Sequence, residues 1–179
     1  MDFPFDIPEG EIRTIFKDSH RNLWFGTTDR GYGVSYQDKS LFGSNKFLTQ
    51  AFKDKSVNSL CADKAGNLWI STLRDGLWCY NLASGKLVRS GAENLVPDQG
   101  VGYIRTTKVF CDSQGELWLL FMDKMRVLRC TWDGKRLTQK DNLFIYNPMS
   151  ITEDDQGYIW IGGFSGFLAR YDKTSRTLC

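Results

Sequence analysis

Four times in this chain an aspartate is followed six residues later by a tryptophan: Asp18 and Trp24, Asp63 and Trp69, Asp112 and Trp118, Asp154 and Trp160. The tryptophans are 45, 49 and 42 residues apart, a period within the range of propeller blades. Apolar residues keep the same frame. Ile15, Leu60, Val109 and Ile151 stand before the aspartates, and Leu23, Leu68, Leu117 and Ile159 directly precede the tryptophans. A unit this short cannot bury its own apolar face, so its neighbours must stack on it.

Each unit reads as a hairpin with two further strands. Segments 12–17, 57–62, 106–111 and 149–153 predict a first strand, and 23–27, 68–72, 117–121 and 159–162 the return. In the turn between them the aspartate can accept hydrogen bonds from nearby amides, and Gly66, Gly115 and Gly157 can take positive φ. Arg21 holds the glycine position in the first unit, at a cost of about 1 kcal/mol. Along the return strand Leu68 and Ile70 share one face, Trp69 and Ser71 the other, so both faces need cover. No segment shows a helical period, which leaves the next small sheet as the cover.

Segments 33–36, 77–80 and 167–171 predict third strands, with Tyr36, Tyr80 and Tyr171 near their exits. The polar segments 46–49, 86–89 and 135–139 predict outer, fourth strands. The fold class is therefore all-β. We expect a β-propeller of about four four-stranded antiparallel blades, units 10–54, 55–103, 104–145 and 146–179, within one region covering 1–179. The third unit departs from the plan, since 121–125 has no Gly-Leu hairpin and Cys130 stands where tyrosine is expected; this reads as tolerated divergence. The last unit ends before a complete fourth strand, which a strand from residues 1–9 can supply.

Composition narrows the function. With 41% apolar, 25% charged and 14% aromatic residues, the chain is a folded one rather than a disordered one. A net charge of +2, from 23 basic and 21 acidic side chains without a long basic run, disfavours nucleic acid as a partner. No window resembles a membrane span of about 20 apolar residues, and the N-terminus is acidic where a secretory signal is basic. The five cysteines form no metal-ligand spacing and read as free thiols, Cys61 and Cys111 as small buried residues at matching points of two units. A calcium ion shared by Asp18, Asp63, Asp112 and Asp154 would need all four to converge on the axis, which their placement in short turns argues against. No metal and no cofactor is expected. The single histidine, His20, has no recognisable nucleophile or acid partner, so catalysis is not expected, a propeller lyase or hydrolase being the least favoured reading.

The units, quoted as SVNSLCADKAGNLWISTLRDGLWCYNLASGKL and SITEDDQGYIWIGGFSGFLARYD, resemble the two-component regulator propeller repeat. Asp63, Gly66, Trp69, Gly76 and Tyr80 match its pattern in the second unit, and Asp154, Gly157, Trp160, Gly166 and Tyr171 in the fourth; the third keeps mainly Asp112, Gly115, Leu117 and Trp118. The resemblance implies a periplasmic sensor region of a hybrid two-component histidine kinase of Bacteroides-like bacteria, often detecting glycans. It also favours an arc of a larger, seven-bladed ring, the alternative being a closed small ring of four blades, with any membrane tether supplied only by parent segments outside the chain. Terminal blades of an arc would self-associate or pack with missing blades of the parent. Ligand contacts are expected near the loop after each tryptophan strand, at Arg30, Tyr32, Arg74, Lys124, Arg126 and Phe164, for an oligosaccharide or polysaccharide fragment. The alternative is a scaffold for protein contacts or receptor dimerisation.

Overall fold

A computed structural model of the chain describes residues 11–28, 32–36, 42–95, 106 and 108–179. They form four four-stranded antiparallel sheets in which the strands lie in chain order. The first blade comprises β1 (Ile12–Lys17), β2 (Leu23–Thr27), β3 (Tyr32–Tyr36) and β4 (Phe42–Ser44). The second comprises β5 (Val57–Ala62), β6 (Asn67–Thr72), β7 (Leu77–Asn81) and β8 (Leu87–Arg89). In the third are β9 (Lys108–Cys111), β10 (Leu117–Phe121), β11 (Arg126–Trp132) and β12 (Leu137–Phe144). The fourth has β13 (Pro148–Glu153), β14 (Ile159–Gly163), β15 (Leu168–Asp172) and β16 (Thr177–Leu178).

The two-sided apolarity of the tryptophan strands finds its cover between blades. Trp24 packs with Val57, Leu60, Leu68 and Ile70 of the second blade. Trp69 packs with Val109, Leu117 and Leu119 of the third, and Trp118 with Ile151, Ile159 and Ile161 of the fourth. Each joint thus sets the tryptophan of one blade on the aligned aliphatic residues of the next. The Trp118 ring meets Tyr171 edge-on at 5.6 Å. In the third blade Trp132, two residues beyond Cys130, supplies the ring that meets Trp69 at 5.3 Å, so the expected tyrosine is replaced rather than missing. That blade also has the longest hairpin, β11 and β12, and its divergence is no loss of order.

The chain is a partial propeller. Among the described residues no sheet follows Trp160, which is partly exposed, with Leu168 on the same blade 65% exposed. At the opposite end Ile15, the first blade's counterpart of buried Leu60, is 63% exposed.

One fourth-strand expectation is corrected. Segment 46–49 is not a strand but part of helix α1 (Lys46–Ala51), and the first blade's outer strand is β4 instead. Asn45 caps the helix, its side chain accepting from the Leu48 amide at 3.0 Å. Leu48 and Phe52, four residues apart, bury one face against the second blade, so a short helical period is present after all. In the last blade β16 has two residues, and Cys179 extends it by exchanging two backbone hydrogen bonds with Arg170. A completing strand from residues 1–9 lies outside the described residues.

Candidate ligand-binding rim

Antiparallel strands taken in order send the first and third turns of each blade to one rim, and the second turn and the crossing to the next blade to the other. The aspartates occupy the first rim. Asp63 Oδ1 accepts from the Ala65 and Asn67 amides at 2.9 Å, and Oδ2 from Asn67 Nδ2 and Trp69 Nε1, also at 2.9 Å. Asp18, Asp112 and Asp154 hold Trp24, Trp118 and Trp160 in the same way, at 2.9, 3.0 and 2.6 Å. Every carboxylate is thereby engaged inside its own hairpin. Among the described residues no group of three or more His, Cys, Asp or Glu side chains is placed to hold a metal. The His20 side chain is exposed at this rim, its amide donating to Asp18 Oδ1.

Burial raises the Asp18 and Asp112 carboxyls, but the indole, the other side chains and the amides that donate to them outweigh it, and both lie below the usual carboxylate range. Around Asp112 this rim is closed by ion pairs. Lys173 reaches Asp112 Oδ2 at 3.1 Å and Glu153 Oε1 at 2.5 Å, while Arg129 bonds Glu116 and, at 3.1 Å, Asp141. Arg176 also pairs with Asp141. Buried charges in this arrangement join the third and fourth blades. Sequence reasoning missed them. Glu116 in place of Asn22 and Asn67 was the one visible sign.

The opposite rim carries the groups suited to a polar ligand. Between the first and second blades lies a groove of about 370 Å³ lined by Arg13, Thr28, Lys55, Ser56, Arg74 and Asp75. Arg74 is exposed, Lys55 pairs with Asp75 at 3.2 Å, and the buried Ser56 Oγ has no hydrogen-bond partner among the described residues. Three cations against two carboxylates, Asp54 and Asp75, make the groove's formal charge positive. Further round, Arg126 lies over the Phe144 ring at 5.2 Å. The Phe164 amide donates to the Asn147 carbonyl at 3.1 Å, and that of Ile145 to Met125 at 3.0 Å. These bonds gather Phe144, Tyr146 and Phe164, all exposed, with Arg126 and the short helical turn Met122–Lys124.

Of the expected contacts, then, Lys124, Arg126 and Phe164 come together on the third and fourth blades, and Arg74 lines the separate groove. Arg30 lies outside the described residues. Tyr32 pairs with Phe25 in the first sheet, but its side chain is not among those described. Arg13 was missed because it lies within a first strand and Lys55 because it shortly precedes one, while Phe144 ends β12 and Tyr146 sits at the crossing to the next blade.

The family model for the two component regulator propeller matches residues 6–29, 51–74 and 140–165. Three of its four hairpin units match that repeat. Those matches take in the aspartate hairpins of the first, second and fourth blades and leave out that of the third, the blade with Glu116 and Cys130.

Among solved structures, the chain is similar to the extracellular domain of BT4673 from B. thetaiotaomicron, described both as a one component system and as a hybrid two component system. Against the first of these it has 16% identity and a TM-score of 0.68, with 95% of this chain and 25% of that chain covered. Against the second it has 18% identity and a TM-score of 0.65, with 94% and 24% covered. It is also similar to the virginiamycin B lyase of Staphylococcus aureus, with 15% identity, a TM-score of 0.74 and 100% and 58% covered. The chain therefore spans about a quarter of that extracellular domain and just over half of the lyase. At these identities the likeness shows the propeller fold alone. No curated protein sequence matches the chain. None of its described helices is long and apolar enough to cross a membrane.

Proposed function

We propose that the chain is a ligand-sensing segment of a two-component signalling receptor, facing the periplasm, and that its ligand is an acidic glycan or a fragment of one. The repeats and the fold shared with the extracellular domain of BT4673 support the sensor role. The observation that carries the ligand class is the loop rim, where Arg13, Lys55 and Arg74 line one groove and exposed Phe144, Tyr146 and Phe164 stand near Arg126. Aromatic faces stack on sugar rings, and guanidinium groups pair with carboxylates or sulfates. On this reading the segment signals by binding and carries out no reaction itself.

The test is calorimetry against matched acidic and neutral oligosaccharides. Acidic members bind, more weakly at high salt, and Arg74→Ala lowers the affinity about tenfold, roughly 1.4 kcal/mol. No binding across the panel defeats the ligand assignment, and preference for neutral sugars defeats the role of the cations. The exposed blade faces at Ile15 and Leu168 favour a second reading, a scaffold joining further blades or another copy. Cross-linking through the outer strands rather than through those two faces would exclude it.

A further inference from the structure

The joint between the second and third blades contains a contact unlike those at the other joints. Cys61 of β5 and Cys111 of β9 occupy matching positions, and their Sγ atoms are 2.6 Å apart. Non-bonded heavy atoms rest at roughly 3.5–4.0 Å, and sulfur is larger than carbon.

The two strands run in step on either side of this pair. Two residues before each cysteine, Ser59 Oγ donates to the Val109 carbonyl and the Val109 amide to Ser59 Oγ, both at 3.3 Å. Two residues beyond Cys111, the Ser113 carbonyl accepts from Lys64 Nζ. The sulfurs are thus held facing each other from two separate sheets. Both are thiols here. Cys61 is buried and Cys111 partly exposed, which gives a reagent access to one sulfur and shelters the other.

We infer that Cys61 and Cys111 are a disulfide-forming pair that links the second blade covalently to the third. The oxidant is a disulfide of the small-molecule or dithiol-oxidoreductase class, as oxidising compartments supply. The Cys111 thiolate attacks one sulfur of that disulfide, forming a mixed disulfide and releasing a first thiolate. Cys61 then gives its proton to solvent and attacks Cys111 Sγ; the Cys61–Cys111 bond forms, the mixed disulfide breaks and a second thiol leaves. Two protein thiols are oxidised and one disulfide is reduced to two thiols. Burial raises the Cys61 thiol, with Cys111 and Asp63 adding to the shift. The second step is therefore the slow one, and it quickens with rising pH.

The full chain, folded and treated with oxidised glutathione, is digested without reductant and examined by mass spectrometry. The expected product is a peptide pair joined through Cys61 and Cys111, lighter by two hydrogens, with two fewer titratable thiols and with Cys79 and Cys130 still free. Reductant then lowers the melting temperature by several degrees in the parent chain and leaves Cys111→Ser unchanged. Five free thiols after oxidation of the folded chain overturn the inference, as does a link from either cysteine to Cys79. The peptide measurement is made on the unmutated chain, so poor folding of a variant cannot mask the outcome, and it is independent of any glycan.

Discussion

At the scale of single residues, the aspartate hairpin shows why the repeated residues are Asp and Trp rather than merely acidic and aromatic. The carboxylate closes the turn with one oxygen and holds the indole N–H with the other, so phenylalanine would leave it short of a donor. Position in the arc then sets the cost of losing the ring. Trp69 is 0% exposed between two sheets, and Trp69→Ala should lower stability by roughly 3–5 kcal/mol in urea unfolding. Trp160 lies on an open face, and its removal should cost about 1–2 kcal/mol. Arg21 holds the turn with φ of 68° where the second, third and fourth units use glycine. Arg21→Gly should be neutral or stabilising by up to about 1 kcal/mol in the same measurement. The carboxyls of Asp18, Asp112 and Glu153 all lie below their ordinary range. They bind protons less readily folded than unfolded. Their contribution is therefore complete above the unfolded range near pH 4 and is lost as pH falls through the lower folded values. Melting temperature followed from pH 7 down to 2 should drop through that window, and less steeply in Asp112→Asn.

At the scale of elements, strands were readable wherever alternation ran against a constant turn, as in β5 and β6. Helix α1 was not, because Leu48, Ala51 and Phe52 give a single helical spacing in a six-residue element whose main sign was its cap. Asn45 also donates to the Tyr80 hydroxyl at 3.2 Å, tying the helix to the second blade. Asn45→Ala should cost about 1 kcal/mol and raise amide exchange at Leu48. The rim was legible to the same degree. Strand order alone puts Arg74, Lys124, Arg126 and Phe164 on one edge. Which of them share a surface depends on crossings such as 144–147, whose course follows from packing that no spacing records. The ion pairs of Lys173 and Arg129 were hidden for the same reason, since their partners lie 12 to 61 residues away in sequence.

At the scale of the whole molecule, an arc whose two ends carry opposite halves of one kind of joint should associate head to tail with whatever supplies the missing half. In sedimentation measurements the isolated chain should show mass that increases with concentration. Trp160→Glu combined with Leu168→Glu should restore a monomer, while the same charge placed at exposed Ser175 should not. A monomer at all concentrations would mean that the end faces are covered from within the chain.

The joint itself bears on how such proteins change over generations. Each interior blade presents a tryptophan on one side and an aliphatic seat on the other, so no blade records how many others accompany it. Duplicating or deleting one unit in the gene leaves the tryptophan-on-aliphatic contacts matched, and costs only joint-specific pairs such as Cys61 with Cys111 or Lys173 with Asp112. Ring size can then drift by whole repeats, while the loops on the exposed rim diverge independently of the frame beneath them.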